Sequence, residues 1–79
     1  MLEKILFWYA EDEFLKMDGF DAAVIGIYEL DMRLIYSSSK IIEILQKEMS
    51  EEEAVEFFDY NIKHAYFGKK TPIISIDDL

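Results

Sequence analysis

Apolar residues along the chain fall into short blocks whose spacing predicts a first helix or strand, a hairpin, two helices and a last strand. The first block, residues 2–17, places apolar side chains at intervals of three and four residues, which favours a helix. The run 4–9 is also compatible with a buried strand, because a short apolar run does not distinguish the two. We favour the helix and expect Asp18 and Gly19 to end it.

The second block, residues 22–37, predicts a β-hairpin. Residues 23–28 and 33–36 are rich in β-branched and aromatic side chains, which are favoured in strands. The short segment 29–32 lies between them and is expected to form the turn. Gly26, in the middle of the first strand, indicates a bulge or a close backbone approach at that point.

Serines mark the predicted starts of the two helices that follow. Ser37–Ser39 offer N-caps for a helix that carries an apolar stripe over residues 41–49. Ser50 and Glu53 have the spacing of a capping box, in which each side chain accepts a hydrogen bond from the other residue's backbone N–H. The second helix is predicted to continue through Ala65.

The last part of the chain predicts a helix end followed by a short strand. Gly68 suits the C-cap of the preceding helix, since glycine adopts a left-handed backbone without strain. Residues 71–76 favour a strand entered through Pro72, because proline is tolerated at the first residue of a strand. Residues 77–79 are expected to form a solvated end.

These elements predict one α+β domain over residues 1–79, with a small three-stranded antiparallel sheet packed against two or three helices. The hairpin and the C-terminal strand would form the sheet. Residues 1–18 would be an N-terminal helix or strand, and residues 19–79 a ββααβ core. The predicted core residues are Val24, Ile25, Ile27, Leu34, Ile35, Ile41, Leu45, Phe58, Ile62 and Ile74.

The net charge is −9, from 17 acidic and 8 basic residues, and both halves of the chain are acidic. Without a cluster of Lys and Arg, direct binding to nucleic acid or to an anionic membrane is disfavoured. No apolar run is long enough for a transmembrane helix, and the N-terminal residues lack the pattern of a signal peptide. We therefore expect a cytoplasmic protein whose charge keeps it in solution and favours a partner with a basic surface.

No motif in the chain carries a catalytic or cofactor-binding signature. Cysteine is absent, and the single histidine, His64, has no nucleophile or carboxylate at a spacing that predicts catalysis. The acidic runs lack the alternating spacing and central glycine of a calcium loop, and the one glycine in Asp18–Asp21 is flanked by acids that would repel phosphate. We expect no enzyme activity, no cofactor and no metal site.

Aromatic residues make up 15% of this short chain, more than a small core easily accommodates. Three of them are consecutive, at positions 7 to 9, and neither a helix nor a strand can turn all three toward one core. We expect part of this group to form a contact surface with a partner or with a second copy, together with the acids that follow. The candidate partner-binding residues are Phe7, Trp8, Tyr9, Glu11, Asp12 and Glu13.

Short segments between residues 19 and 76 follow one another in a recognisable order. These segments are GFD at 19–21, AVIG at 23–26, LIYS at 34–37, KIIEIL at 40–45, MSEEEA at 49–54, FF at 57–58, NI at 61–62, AY at 65–66 and GKKTPI at 68–73. Together they resemble a group of small proteins common in bacteriophages. The resemblance implies a phage or prophage origin and a role inside a bacterial host, and it implies no assigned activity.

Three classes of function remain open from the sequence. The first is a non-enzymatic interaction module, in its specific form an inhibitor of a host defence or nucleic-acid-handling protein. The second is a self-associating structural or accessory phage protein, and the third is a small metabolite-binding or enzymatic domain. Salt-dependent binding to a basic protein would favour the first, a concentration-dependent mass the second, and a deep pocket with converging polar groups the third.

Overall fold

Three helices lie on one face of a three-stranded sheet in the computed structural model, which describes residues 1–77. The strand order is β1-β2-β3, and a single 3-10 turn, Asp21–Ala23, leads into β1. The α+β class predicted from the sequence is confirmed. The elements are α1 Leu2–Trp8, β1 Val24–Tyr28, β2 Arg33–Ser37, α2 Ser38–Leu45, α3 Glu51–Asn61 and β3 Ile73–Ser75.

β1 and β2 form the predicted antiparallel hairpin, with Tyr28 paired to Arg33 beside the turn. The turn occupies residues 29–32, and Met32 takes a positive φ of 54°. The register shifts between Val24 and Gly26, which is the irregularity that a mid-strand glycine indicated. The hairpin and its bulge are therefore confirmed.

The sheet is mixed rather than antiparallel, because β3 runs parallel to β2 with Ile73 opposite Ile35 and Ile74 opposite Tyr36. Parallel neighbours need a long crossover connection, usually a helical one. The two helices α2 and α3 supply that connection and return the chain to the end of the sheet from which β2 starts. The sequence predicts both helices, but the antiparallel direction expected for β3 is wrong, because that expectation did not take into account that a helical connection favours a parallel strand.

The first helix is much shorter than predicted: it ends at Trp8, and residues 9–20 follow a folded-back loop. A tight turn follows α1, in which the Asp12 N–H donates to the Tyr9 carbonyl at 3.0 Å instead of continuing the helix. A helix continued to Met17 would carry that residue about 13 Å beyond Trp8. The loop instead packs Phe14 and Met17 against the core.

Local capping fixes the starts of the two central helices. The Ser37 hydroxyl accepts a hydrogen bond from the Lys40 N–H at 3.2 Å, which makes Ser37 the N-cap of α2. At α3, the Ser50 hydroxyl accepts from the Glu53 N–H at 3.2 Å, while the Glu53 carboxylate accepts from the Ser50 N–H at 3.3 Å. The predicted capping box is confirmed.

The end of α3 lies at Asn61, four residues before the predicted end at Ala65. The Lys63 N–H donates to the Phe58 carbonyl five residues back, at 2.9 Å, which closes the helix. Gly68 is therefore not its C-cap. Its φ of +105° instead shapes a later turn, in which the Thr71 N–H donates to the Gly68 carbonyl at 3.1 Å.

Half of the predicted core residues are buried between the helices and the inner face of the sheet, the face that the helices cover. Ile27, Leu45 and Ile74 are half-buried and pack against this core. Ile25 and Ile35 do not belong to it, so this part of the core prediction is wrong. Their side chains lie on the opposite face, since Gly26 pairs with Ile35 and the bulge at Val24–Gly26 changes the alternation of β1. The predicted residues found buried are Val24, Leu34, Ile41, Phe58 and Ile62.

Tyr36 is the largest fully buried side chain, with 0% of its surface exposed. Its hydroxyl accepts a hydrogen bond from the Met17 N–H at 2.9 Å and so ties the loop after α1 to the central strand. Burial raises the pKa of Tyr36, so the neutral phenol is the form that the core holds.

We expect Ser50→Ala to lower the free energy of unfolding by roughly 0.5–2 kcal/mol, because it removes the side-chain acceptor of the capping box. Chemical denaturation monitored by circular dichroism measures the change. Ser50→Thr serves as the control, because threonine keeps the hydroxyl and should retain most of the stability. An unchanged midpoint in Ser50→Ala would contradict the role of the box.

We expect Tyr36→Phe to cost roughly 1–3 kcal/mol of unfolding free energy, because it leaves the Met17 N–H without its partner. The matched control is Tyr60→Phe on the surface of α3, where the side chain is 87% exposed and removal of the hydroxyl should have little effect. Equal stability of the two variants would show that the buried hydroxyl does not hold the loop.

Candidate interaction surface

The end of α1 presents two large aromatic side chains to solvent. Leu2 and Ile5 lie one turn apart and are buried in the core, which fixes the face that the helix turns inward. Phe7 and Trp8 follow on the outer side and are 75% and 76% exposed. Their rings pack edge to face with centroids 5.6 Å apart. The two side chains therefore form one ordered aromatic pair on the surface.

Tyr9 behaves differently from the two residues before it. It is half-buried, packs against the core, and meets Phe14 edge to face at a centroid distance of 6.4 Å. Its hydroxyl donates to the Glu29 carboxylate at 2.5 Å, and this bond raises the pKa of Tyr9. Tyr9 thus fastens the end of α1 to the β1–β2 turn. Its ring packs at the edge of the core and is less available to a partner than the rings of Phe7 and Trp8.

The acids that follow the helix remain at the surface. Glu11, Asp12 and Glu13 are all exposed, and the Asp12 N–H donates to the Tyr9 carbonyl at 3.0 Å in a tight turn. The backbone carbonyl of Glu13 accepts a hydrogen bond from the Lys70 ammonium at 2.9 Å, so a positive charge lies beside Glu13.

Five of the six candidate residues are exposed, and four of these follow one another closely in the chain. Phe7, Trp8, Glu11 and Asp12 lie within six positions of each other at the end of α1, and we call them the aromatic–acidic surface. The carboxylate of Glu29, bonded to Tyr9, adds a further acid at its edge. The arrangement can contact an apolar or cationic group with the rings while the carboxylates bind Lys or Arg.

A second group of exposed aromatics lies on and after α3. Tyr60 is 87% exposed, Phe57 is 41% exposed, and Tyr66 and Phe67 are exposed in the segment that follows the helix. Their exposure follows from α3 burying only the stripe of Ala54 and Phe58. These aromatics are close together in the sequence, but the position at which α3 ends decides which of them face solvent.

The N-terminus of α2 already binds a carboxylate from within the chain. The Asp77 carboxylate accepts hydrogen bonds from the Ser39 N–H at 3.1 Å and from the Ser38 hydroxyl at 3.2 Å. Hydrogen bonds from the Ser37 hydroxyl and the Ser39 N–H lower the pKa of Asp77 to about 2. Asp77 is therefore a cap on α2 rather than part of a solvated end, and residues 78 and 79 lie outside the described residues.

Other kinds of site receive no positive support from the geometry. His64 is exposed in the segment after α3. Among residues 1–77, no group of three or more His, Cys, Asp or Glu side chains is placed to hold a metal ion. The depressions on this part of the chain include grooves of about 310 and 440 Å³ that are open to solvent. In the same residues, no helix has the length and apolarity needed to cross a membrane.

The chain matches no protein-family model, no curated protein and no solved structure.

We expect the Asp77 cap to make stability depend on pH in the acid range. Because folding lowers the pKa from 3.8 to about 2, the ionised cap stabilises the fold above pH 4 and is lost as the pH falls through 2. The difference in unfolding midpoint between the wild type and Asp77→Asn should therefore shrink as the pH falls from 5 to 2. A difference that stays constant over this range would contradict the assignment.

Proposed function

We propose that this chain is a non-enzymatic protein-interaction module whose aromatic–acidic surface binds a partner protein with a basic surface. The observation that carries the proposal is the exposure of the edge-to-face Phe7–Trp8 pair, 75% and 76%, close in the chain to exposed carboxylates. Aromatic side chains are enriched at the centres of protein interfaces, where they contribute much of the binding energy.

The chemistry of the pair suits a cationic partner. The face of an indole ring attracts Arg and Lys side chains with an energy of about 0.5–2 kcal/mol, depending on how far the contact is desolvated. Trp8 is the single tryptophan of the chain and is 76% exposed. A partner that places an arginine over this ring would also bring its charge close to the carboxylates of the same surface.

The surrounding charge favours the same kind of partner. Glu11 and Asp12 are exposed beside the rings, and the whole chain carries a net charge of −9. Exposed carboxylates contribute little individually, but their summed field steers a basic protein toward the surface and raises its association rate.

The end of α1 that carries this surface is fastened to the rest of the chain, which reduces the entropy lost on binding. Ile5 anchors the helix in the core one turn before Trp8. Tyr9 is bonded to Glu29, and the edge-to-face contact restrains both exposed rings. The partner therefore meets a preformed aromatic ridge and does not need to organise it.

The resemblance to small bacteriophage proteins makes a host protein the expected partner. In this form of the proposal the chain acts in the bacterial cytoplasm and inhibits a host defence or nucleic-acid-handling protein by covering its basic surface. Proteins that handle nucleic acids expose clusters of Lys and Arg, which is the chemistry that the aromatic–acidic surface complements.

The test is capture from a bacterial host lysate with three immobilised proteins: the wild type, Trp8→Ala and Tyr60→Ala. Tyr60 is also an exposed aromatic residue, but it lies on α3 away from the proposed surface. We expect one or more basic proteins that bind the wild type and Tyr60→Ala, and that bind Trp8→Ala at least tenfold more weakly, as for a hot-spot residue.

The complex should also weaken as salt is raised, because the carboxylates contribute through screened electrostatics. Circular dichroism confirms that each variant is folded before capture. Equal capture by the wild type and Trp8→Ala, or binding that salt does not affect, would overturn the proposal.

A further inference from the structure

The turn between β1 and β2 presents an apolar side chain to solvent between two acids. Residues 29–32 form this turn, and we call them the hairpin tip. Leu30 is 82% exposed, a larger fraction than for either ring of the aromatic pair. Glu29 and Asp31 on its two sides are exposed as well. The hairpin tip thus repeats the combination of apolar and acidic groups found at the end of α1.

Hydrogen bonds hold the hairpin tip on two sides. The Tyr9 hydroxyl donates to the Glu29 carboxylate, which ties the tip to the end of α1. Directly after the tip, the Arg33 Nε donates to the Thr71 carbonyl at 2.7 Å, which ties it to the segment before β3. Leu30 is therefore exposed on a fastened turn, and a partner that binds it has little loop entropy to remove.

The last residue of the hairpin tip has a strained backbone. Met32 has a φ of 54°, a conformation that glycine and asparagine adopt readily and larger side chains rarely do. The turn requires this conformation but does not require methionine. The Met32 side chain is half-buried and lies outside the core cluster, so core packing does not account for it. Strain of this kind is found at functional positions, and methionine is frequent at binding surfaces.

We propose that the hairpin tip is a second contact element for the same partner, in which Leu30 and Met32 bind an apolar group on its basic surface. This inference rests on the proposed function of the aromatic–acidic surface. The hydrogen bond between Tyr9 and Glu29 joins the two elements, and Trp8 and Leu30 are chain neighbours of the bonded residues. A standard interface covers about 800 Å² on each partner, which is large enough to include both elements.

The charges of the hairpin tip fit a partner that carries an apolar side chain among Lys and Arg residues. The Arg33 guanidinium lies 3.9 Å from the Asp31 carboxylate and offsets one of the two acidic charges, so the tip remains acidic. Carboxylates of the tip can pair with bases of the partner while Leu30 contacts its apolar group. A second copy of the chain would bring the acids of two tips together, which their repulsion opposes. The tip therefore favours the same class of partner as the aromatic–acidic surface.

Fluorescence of Trp8 tests the proposal in titrations with two synthetic peptides of equal charge. Both have about twelve residues and reach about 40 Å when extended; one alternates arginine with glycine, the other arginine with leucine. We expect the wild type to bind the arginine–leucine peptide roughly fivefold or more tightly than the arginine–glycine peptide. Leu30→Ala should lose most of this preference. Val55→Ala changes an exposed aliphatic residue on α3, 38% exposed, and should keep it.

Met32→Gly gives an independent test of the same element. Glycine adopts a positive φ without strain, so this variant should have a higher denaturation midpoint than the wild type. It should also bind the arginine–leucine peptide more weakly, because the side chain that contacts leucine is removed. A gain in stability together with a loss of affinity is a result that a purely structural role of Met32 does not produce.

Phe7→Ala separates a failure of this proposal from a failure of the proposed function. It changes the aromatic–acidic surface and should weaken the binding of both peptides. If neither peptide binds the wild type, or if Phe7→Ala binds both as tightly as the wild type, the proposed function itself is contradicted. If binding depends on Phe7 but Leu30→Ala or Met32→Gly keeps the full preference for leucine, the role of the hairpin tip alone is overturned.

Discussion

The amount of helix available to cover the sheet is the constraint on which the rest of the structure depends. The helices have 7, 8 and 11 residues, which at 1.5 Å per residue gives lengths of about 10 to 17 Å. They bury the middle of one face of the sheet, as the 0% exposure of Leu34 and Tyr36 shows, while Ile27 and Ile74 beside them stay half-buried. Little remains to cover the other face or the aromatic side chains on the helices themselves. The exposed apolar surface is therefore a consequence of the size of the domain.

The parts of the fold that the sequence predicts correctly are those that depend on neighbours along the chain. The capping box joins residues three positions apart, and the hairpin joins two strands through a short turn. The parts that it misses depend on distant contacts. The loop that replaces the rest of the predicted first helix is held by the hydrogen bond from the Met17 N–H to the Tyr36 hydroxyl. The chain just after the parallel β3 is held by the hydrogen bond from the Ser39 N–H to the Asp77 carboxylate. Local patterns carry no information about such partners.

The exposed surfaces also depend partly on local patterns and partly on distant contacts. Helical geometry requires that at least one of the aromatic residues 7–9 face solvent, but it does not determine which one. That selection comes from Tyr9, whose bond to Glu29 is formed across 20 positions and draws its ring toward the core. The outward position of Ile35 was missed because strand patterns do not say which face the helices cover. Gly26 was the one signal in the sequence that pointed to an irregular β1, through the bulge that the structure shows there.

The negative charge of the chain acts on any contact made through the aromatic–acidic surface. α1 packs its buried residues into the core, so Phe7 and Trp8 lie on the helix side of the sheet. Two copies of a chain with net charge −9 repel each other when their carboxylates approach. The same carboxylates attract a basic protein and raise its association rate. At this surface the charge therefore favours a basic partner over a second copy of the chain.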